Sequence, residues 1–356
     1  MQIEIYDLKA SGTNISVELT AVCDSFSSLL WDIEYYSSGR FEVYISTSTD
    51  NVDIFRLGRI VSRDDDNEHF GIIENIKIET STENGDYLTV SGRFLNCLLE
   101  RRIIYPSMSL NGNYSFIIQM LIKNNCIDSG VRTIPGLAIG DVTGKCWERK
   151  TRLQVSYDNL LEYIYKLCEI IGGSINIKND GNALVCDLYQ GTDRSILQSE
   201  NPHIVFSDDY NNLLSFSYVA DNSIQKNFAY VFGSGEGSAR KKCTYYNGTE
   251  PIHLDRYEVY SDQRNLTQDD KTTDDEYLEM LTEKGKESIV LPQTASESTI
   301  APFSTQFEYN RDYFVGDYVT VENKRFGLIQ KKIQLVGMIE SFDSNGRSLT
   351  PTFKEG

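Results

Sequence analysis

Three histidines, His69, His203 and His253, stand far apart in a chain of 356 residues. That leaves general-base and metal chemistry without its commonest side chain. The seven cysteines, at positions 23, 97, 126, 146, 168, 186 and 243, are odd in number, widely spaced and free of any CxxC pair. The pattern predicts buried free thiols rather than a disulfide framework or a zinc knuckle. There is no GxSxG elbow, so a Ser-His-Asp or Cys-His site would have to be assembled by folding alone. Gly233-Ser234-Gly235-Glu236-Gly237-Ser238 invites a phosphate-loop reading. It has neither the GxxxxGK[ST] nor the GxGxxG spacing, it opens no apolar helix, and Glu236 would repel phosphate. It reads as a flexible loop or bulged strand exit, with Arg240, Lys241 and Lys242 available to acidic neighbours.

The run Asp64-Asp65-Asp66-Asn67-Glu68 offers oxygen ligands of the kind Ca²⁺ takes. An EF-hand loop begun at Asp64 needs glycine at its sixth position and glutamate at its twelfth, and His69 and Asn75 stand there instead. A solvated hairpin tip is the plainer reading, and Asp208-Asp209 and Asp269-Asp270 are read the same way. Glycosidases need two carboxylates about 5 to 9 Å apart. With 52 acidic residues that possibility stays open, but no local setting marks one of them as the acid. No catalytic, cofactor-binding or metal-ligating residue is therefore expected, and no cofactor.

Aspartate and glutamate exceed lysine and arginine by 52 to 34, a formal charge of −18. Phosphate binding relies on clustered cations, so the surface should repel nucleic acid. The longest apolar run, Phe116 to Ile122, is far short of a membrane span. Met1-Gln2-Ile3-Glu4-Ile5 lacks the basic region and apolar core of a signal peptide, which predicts folding in a cytoplasm. Twenty-two tyrosines and 16 phenylalanines suit strands and protein interfaces.

The elements that would position any site are mostly strands. In residues 30–60, Trp31, Ile33 and Tyr35 alternate with polar neighbours, as do Phe41, Val43 and Ile45, which predicts a β-hairpin turning at Ser37 to Arg40. Ile3 and Ile5, then Ile15, Val17 and Leu19, then Ile76 and Ile78, then Leu88 and Val90 after Asn84-Gly85, extend the pattern over residues 2–92. A short helix is expected at 94–102. Tyr114 to Asn125 carries a helical stripe, and Tyr157 to Ile171 a clearer one in Leu160, Ile164, Leu167, Cys168 and Ile171, with Ser156 to cap it and Gly172-Gly173 to end it. A hairpin turning at 179–182 follows. Leu214, Phe216 and Tyr218 are expected to pair with Phe228, Tyr230 and Phe232. Thr273 and Glu276 form a predicted capping box. Strands return at Phe303, Thr305 and Phe307, at 317–321 and at Ile333 to Ile339. The predicted organisation is a β domain at 1–104, an inserted α+β domain at 105–203, a second β domain made of 204–240 and 296–356, and an insertion with a helix at 241–295.

Four stretches carry a resemblance: YYSSGRFEVYI at 35–45 with LGRIV at 57–61, FLNCLLERRII at 94–104, YVFGSGEGSAR at 230–240, and YNRDYFVGDYVTV at 309–321 with the ending PTFKEG. In this order they resemble the Gp37-like siphovirus tail proteins, a baseplate-hub family. The resemblance implies a mainly β fold of two tube-like β-barrels with inserted helix-hairpin modules, phage baseplate-hub-like. It implies a homotrimeric ring that adapts a six-fold tail tube, or a distal tail protein, to a three-fold spike or tip, in a phage tail or in a tail-like bacteriocin of the contractile-injection kind. The particle would be assembled in the bacterial host cytoplasm, with no catalysis, no nucleic-acid binding beyond DNA passage and no membrane span. The chain ends soon after its last strand, so a free-standing hub is expected. A tail-associated wall hydrolase and a receptor- or saccharide-binding module are the alternatives. Gly39-Arg40-Phe41 and Gly316-Asp317-Tyr318 are expected to fix turn and strand geometry, with Asp317 satisfying turn amides.

Overall fold

The computed structural model describes residues 1–46, 52–81, 85–268, 272–301 and 306–354. Asn84 of the expected turn, Asp269 and Asp270, and Phe303 and Thr305 of an expected strand lie outside the described residues. Up to residue 94 the described residues are mainly strand, with one 3-10 turn at Val52–Ile54: β1 (Ile3–Ser11), β2 (Asn14–Cys23), β3 (Ser28–Glu34), β4 (Arg40–Ser46), β5 (Ile60–Arg63), β6 (Asp66–Ser81) and β7 (Gly85–Phe94). The predicted hairpin is β3–β4, with Trp31 opposite Phe41 and Asp32 opposite Arg40. Gly39 turns it at φ +59°, where an added Cβ would lie 2.5 Å from the Asp32 carbonyl oxygen. Only glycine fits.

The next segment holds α1 (Cys97–Glu100), β8 (Met108–Asn113), α2 (Tyr114–Ile122), β9 (Leu137–Val142), β10 (Lys150–Val155), α3 (Leu160–Ile171), β11 (Gly173–Asn179) and β12 (Leu184–Gln190). The whole predicted stripe of α3 is buried. Its cap is Asn159 and not Ser156: the Asn159 side chain accepts from the Leu161 and Glu162 amides at 3.1 and 3.3 Å. Gly172 closes the helix at φ +77°. In the hairpin that follows, Ile175 faces Leu188 and Ile177 faces Cys186, as the alternation requires.

The remainder comprises β13 (Val205–Ser207), β14 (Leu213–Asp221), β15 (Phe228–Phe232), β16 (Lys242–Tyr246), β17 (Glu258–Asp262), α4 (Asp274–Ser288), β18 (Gln293–Ile300), β19 (Tyr318–Asn323), β20 (Leu328–Asp343) and β21 (Gly346–Lys354). The capping box on α4 forms as predicted. The expected hairpin of 214–218 with 228–232 does not: β14 pairs with β18, and β15 lies between β16 and β17. The reason is packing. Ala229 and Val231 of β15 need an apolar cover, and Tyr277, Met280 and Leu281 of α4 supply it.

One sheet of 13 strands runs β14-β18-β21-β20-β3-β4-β7-β6-β5-β1-β2, with β19 joined to β20 and β13 to β19. The fold is thus mainly β around a large antiparallel sheet. Two separate closed barrels are not what the described strands form, because β3 is paired on both edges. It meets β4 on one side and β20 on the other, and so carries the ladder from the N-terminal strands into the C-terminal ones. One of three apolar clusters among the described residues spans this junction. Ile3, Trp31, Phe41 and Phe94 pack with Phe206, Phe307, Leu335 and Phe353.

Candidate functional site

The densest set of buried charge lies on the β3–β20 seam. Trp31 of β3 stands opposite Glu340 of β20, and both are fully buried. Glu340 is held between two arginines: Oε1 accepts from Arg63 at 3.0 Å, and Oε2 from Arg347 at 3.0 and 2.7 Å. Arg63, at the end of β5, also makes a two-pronged contact with Asp65 at 2.8 and 2.9 Å. Its guanidinium lies 5.6 Å from the Trp31 ring and 5.0 Å from Phe342. Burial works against the Arg63 charge, but the Asp65 hydrogen bonds and the Glu340 charge outweigh it and hold the group protonated.

Beside it, Asp66 accepts from Trp31 Nε1 at 3.0 Å, from the Glu68 and His69 amides at 3.0 and 3.1 Å, and meets His69 Nδ1 at 2.9 Å. Burial pushes the Asp66 carboxyl up, yet the charge and hydrogen bond of His69, then the Glu68 amide and Arg63, hold it well below the usual range. Burial likewise opposes a charged His69, and the Asp66 charge and hydrogen bond override it, raising the imidazole above 6.5. The acidic run 64–68 is therefore only partly the solvated tip expected. Arg63 and Asp66 turn inward because the C-terminal strands bring Glu340 and Arg347 over them.

This pair makes stability depend on pH. His69 binds its proton more tightly when folded, so its contribution is complete below pH 6.5 and is lost as pH rises through the raised value. Asp66 acts in the opposite sense, complete above pH 3.8 and lost as pH falls through its depressed value. Urea midpoints measured from pH 5 to pH 9 should fall on the alkaline side in the wild type and flatten in His69→Gln. Equal slopes in the two proteins would refute the coupling.

A second knot ties the α+β segment to this seam. The Tyr35 hydroxyl donates toward the Gly172 and Tyr189 carbonyls at 3.3 and 3.4 Å and accepts from the Gly191 amide at 3.1 Å. Gly316, at φ +104°, lies so close to the Tyr35 ring that a Cβ would stand 2.3 Å from it. Asp317 does satisfy a turn amide, that of Phe314 at 3.1 Å, and also reaches the Thr192 amide at 2.6 Å and Arg194 at 2.8 Å. Burial raises its carboxyl despite those partners. The stretches 35–45, 57–61 and 309–321 thus come together in space. The stretch 230–240 belongs instead to the β15–β17 sheet.

Residues flagged for chemistry are otherwise engaged structurally. In the glycine loop, the Ser234 amide donates to the Tyr277 hydroxyl at 2.7 Å, and Arg240 donates to the Gly233 and Phe232 carbonyls at 2.7 and 2.9 Å and pairs with Asp262. Lys241 pairs with Asp274. His203 contacts the Gln198 carbonyl at 2.8 Å and His253 lies in a separate turn. Among the described residues no three His, Cys, Asp or Glu side chains are grouped to hold a metal, and no helix is long and apolar enough to cross a membrane. All seven cysteines are free; six are buried and Cys243 is half-buried. Two open grooves, of about 420 and 470 Å³, lie along α4 and over Arg40, Glu42, Glu74 and Arg93. In the second, Glu74 is paired with Arg93 at 2.8 Å. Sequence reasoning missed Glu340, Arg347 and Arg63 as partners. No local signal marked Glu340: the alternation of Ile333, Leu335 and Ile339 puts it on the outward face, and the register shift between Leu335 and Gly337 turns it inward.

The fold is that of phage tail proteins. The chain is similar to the tail protein from Neisseria meningitidis MC58 (13% identity, TM-score 0.59, 99% of this chain and 96% of that one). It is similar to the 43 kDa tail protein of prophage MuSo2 from Shewanella oneidensis (13%, 0.61, 98% and 98%) and to prophage tail protein gp18 from Listeria monocytogenes EGD-e (11%, 0.58, 100% and 95%). The chain belongs to the Siphovirus ReqiPepy6 Gp37-like protein family, whose model matches residues 2–353. No curated protein matches the chain.

Proposed function

We propose that this chain is the hub of a tail tip. Three copies form a ring that adapts the six-fold tube, or a distal tail protein, to a three-fold spike or tip, and the chain does so without catalysis. The observation that carries the reading is the continuous sheet: β3 and β20 join the first and last strands into one body, and the buried Arg63–Glu340–Arg347 seam locks them. A protein that bears load between two assemblies needs such a junction. We read the chain as two tube-like β lobes, 1–104 and 204–240 with 296–356, carrying insertions at 105–203 and 241–295; β15 goes with the second insertion, since it pairs there. Assembly takes place in the host cytoplasm, and the acidic surface lets DNA pass without being held.

Light scattering across a concentration series, with electron micrographs, tests this. A mass of three chains and a central hole are expected, for the protein alone or with its neighbouring tail proteins. A single chain under all these conditions overturns the hub. Clearing of isolated peptidoglycan in a zymogram would overturn the non-catalytic part.

A further inference from the structure

Ile103, Tyr105, Val131 and Tyr157 are large apolar or aromatic side chains left open to water, Val131 completely. They form one patch. The Tyr105 and Tyr157 rings are 6.2 Å apart, and Arg132, next to Val131, donates to the Tyr105 carbonyl at 2.9 Å and to the Ile103 carbonyl. The Arg132 guanidinium also lies 5.9 Å from the Tyr105 ring. The patch is held stiffly. Arg102 donates to the Arg132 carbonyl at 2.7 Å, and the Tyr157 amide to the Ile104 carbonyl at 2.8 Å. Tyr157 takes φ +64°, a left-handed backbone that a non-glycine residue rarely adopts, and the ring it presents is two-thirds exposed.

Its charge is out of character with the chain. Arg102 and Arg132 make no ion pair among the described residues; their N–H groups go to carbonyl oxygens and to Asn125. Asp158, the adjacent carboxylate in sequence, is exposed and pairs with neither. Two guanidiniums beside two exposed tyrosines have the composition of an interface centre, on a protein whose net charge is −18.

We propose that this patch is where one copy docks against the acidic surface of a second copy, a reading that rests on the ring proposed above. Copies of charge −18 repel one another, so a contact between them forms most readily where apolar area and uncompensated positive charge coincide. The contact is heterologous, patch to a different face, which is the kind that closes rings. Its electrostatic part should weaken as salt screens it.

The full-length protein is measured by light scattering at low and high salt, as wild type, Val131→Asp and Tyr157→Gly. Both variants are expected to fold: position 131 is solvent on every side, and glycine suits φ +64°. Self-association should weaken roughly ten-fold or more in each, with the Val131→Asp deficit narrowing at high salt as the added charge is screened, while melting temperatures hold or rise. Variants that associate as the wild type does overturn this contact and leave the hub standing. A wild type that remains a single chain both alone and with neighbouring tail proteins overturns both. Loss of binding to a different acidic tail protein, with self-association intact, overturns the second copy as occupant.

Discussion

Glu340→Gln should cost about 3–5 kcal/mol of unfolding free energy, because it takes the buried counter-charge from Arg63, itself buried, and from the half-buried Arg347. The substitution keeps volume and shape, so the loss isolates charge from packing. Both carboxylate oxygens are engaged and the side chain has no contact with water, so solvent cannot compensate. A urea titration reads this as a shift of the midpoint at unchanged slope. The exposed Lys9–Glu18 pair is the control. Glu18→Gln should leave the midpoint nearly unmoved, since solvent screens that pair. If the two variants shift the midpoint equally, the seam is hydrated and the electrostatic account fails.

Trp31→Ala should cost a further-reaching 3–5 kcal/mol, about the range for truncating a buried aromatic. Trp31 is fully buried, edge-on to Phe94 at 4.8 Å and tilted against Phe41 at 5.9 Å. It also donates to Asp66, so its removal takes a hydrogen bond from a buried carboxylate. Trp31→Phe separates the two effects, restoring most of the packing while leaving the Asp66 oxygen short of a donor, at about 1–3 kcal/mol. The chain has two tryptophans, Trp31 in the sheet and Trp147 buried in the α+β segment. In Trp31→Ala the remaining fluorescence therefore reports that segment. Its transition should move with the circular-dichroism transition of the sheet, because Tyr35 and Asp317 knot the two together. Two well-separated transitions would show the knot to be weak.

Much of the local structure was legible in the residues. Alternation placed β3, β4, β11 and β12 and their facing pairs, and the Thr273–Glu276 box placed the start of α4, because these features depend on neighbours in the chain. Partners far away were not legible. Alternation says which face of a strand is buried and is silent about which strand lies beside it, so β14 was paired with nearby β15 when its partner is β18, beyond the whole insertion. The same limit hid the site. Arg63 to Glu68 is a charged turn by local criteria, and only the arrival of β20 and β21 makes its inner members core. Ser156 is the expected cap of α3, but the left-handed turn at Tyr157 delays the helix and Asn159 caps it.

The pairing of β3 with β20 also dictates an order of events during synthesis. Gly337 meets Glu34 across about 300 residues of intervening chain, a closure that is costly in entropy and slow to find. Until the ribosome has released the last strands, β3 is an open sheet edge and Trp31 has no Glu340 opposite it. The N-terminal strands must wait, partly folded, for a partner made last. Such an edge recruits other strands, and the more so where many copies of a chain are translated side by side. Truncation before β20 is therefore a hazard to the intact copies beside it, since the fragment keeps its adhesive edge and loses the strand that would have covered it.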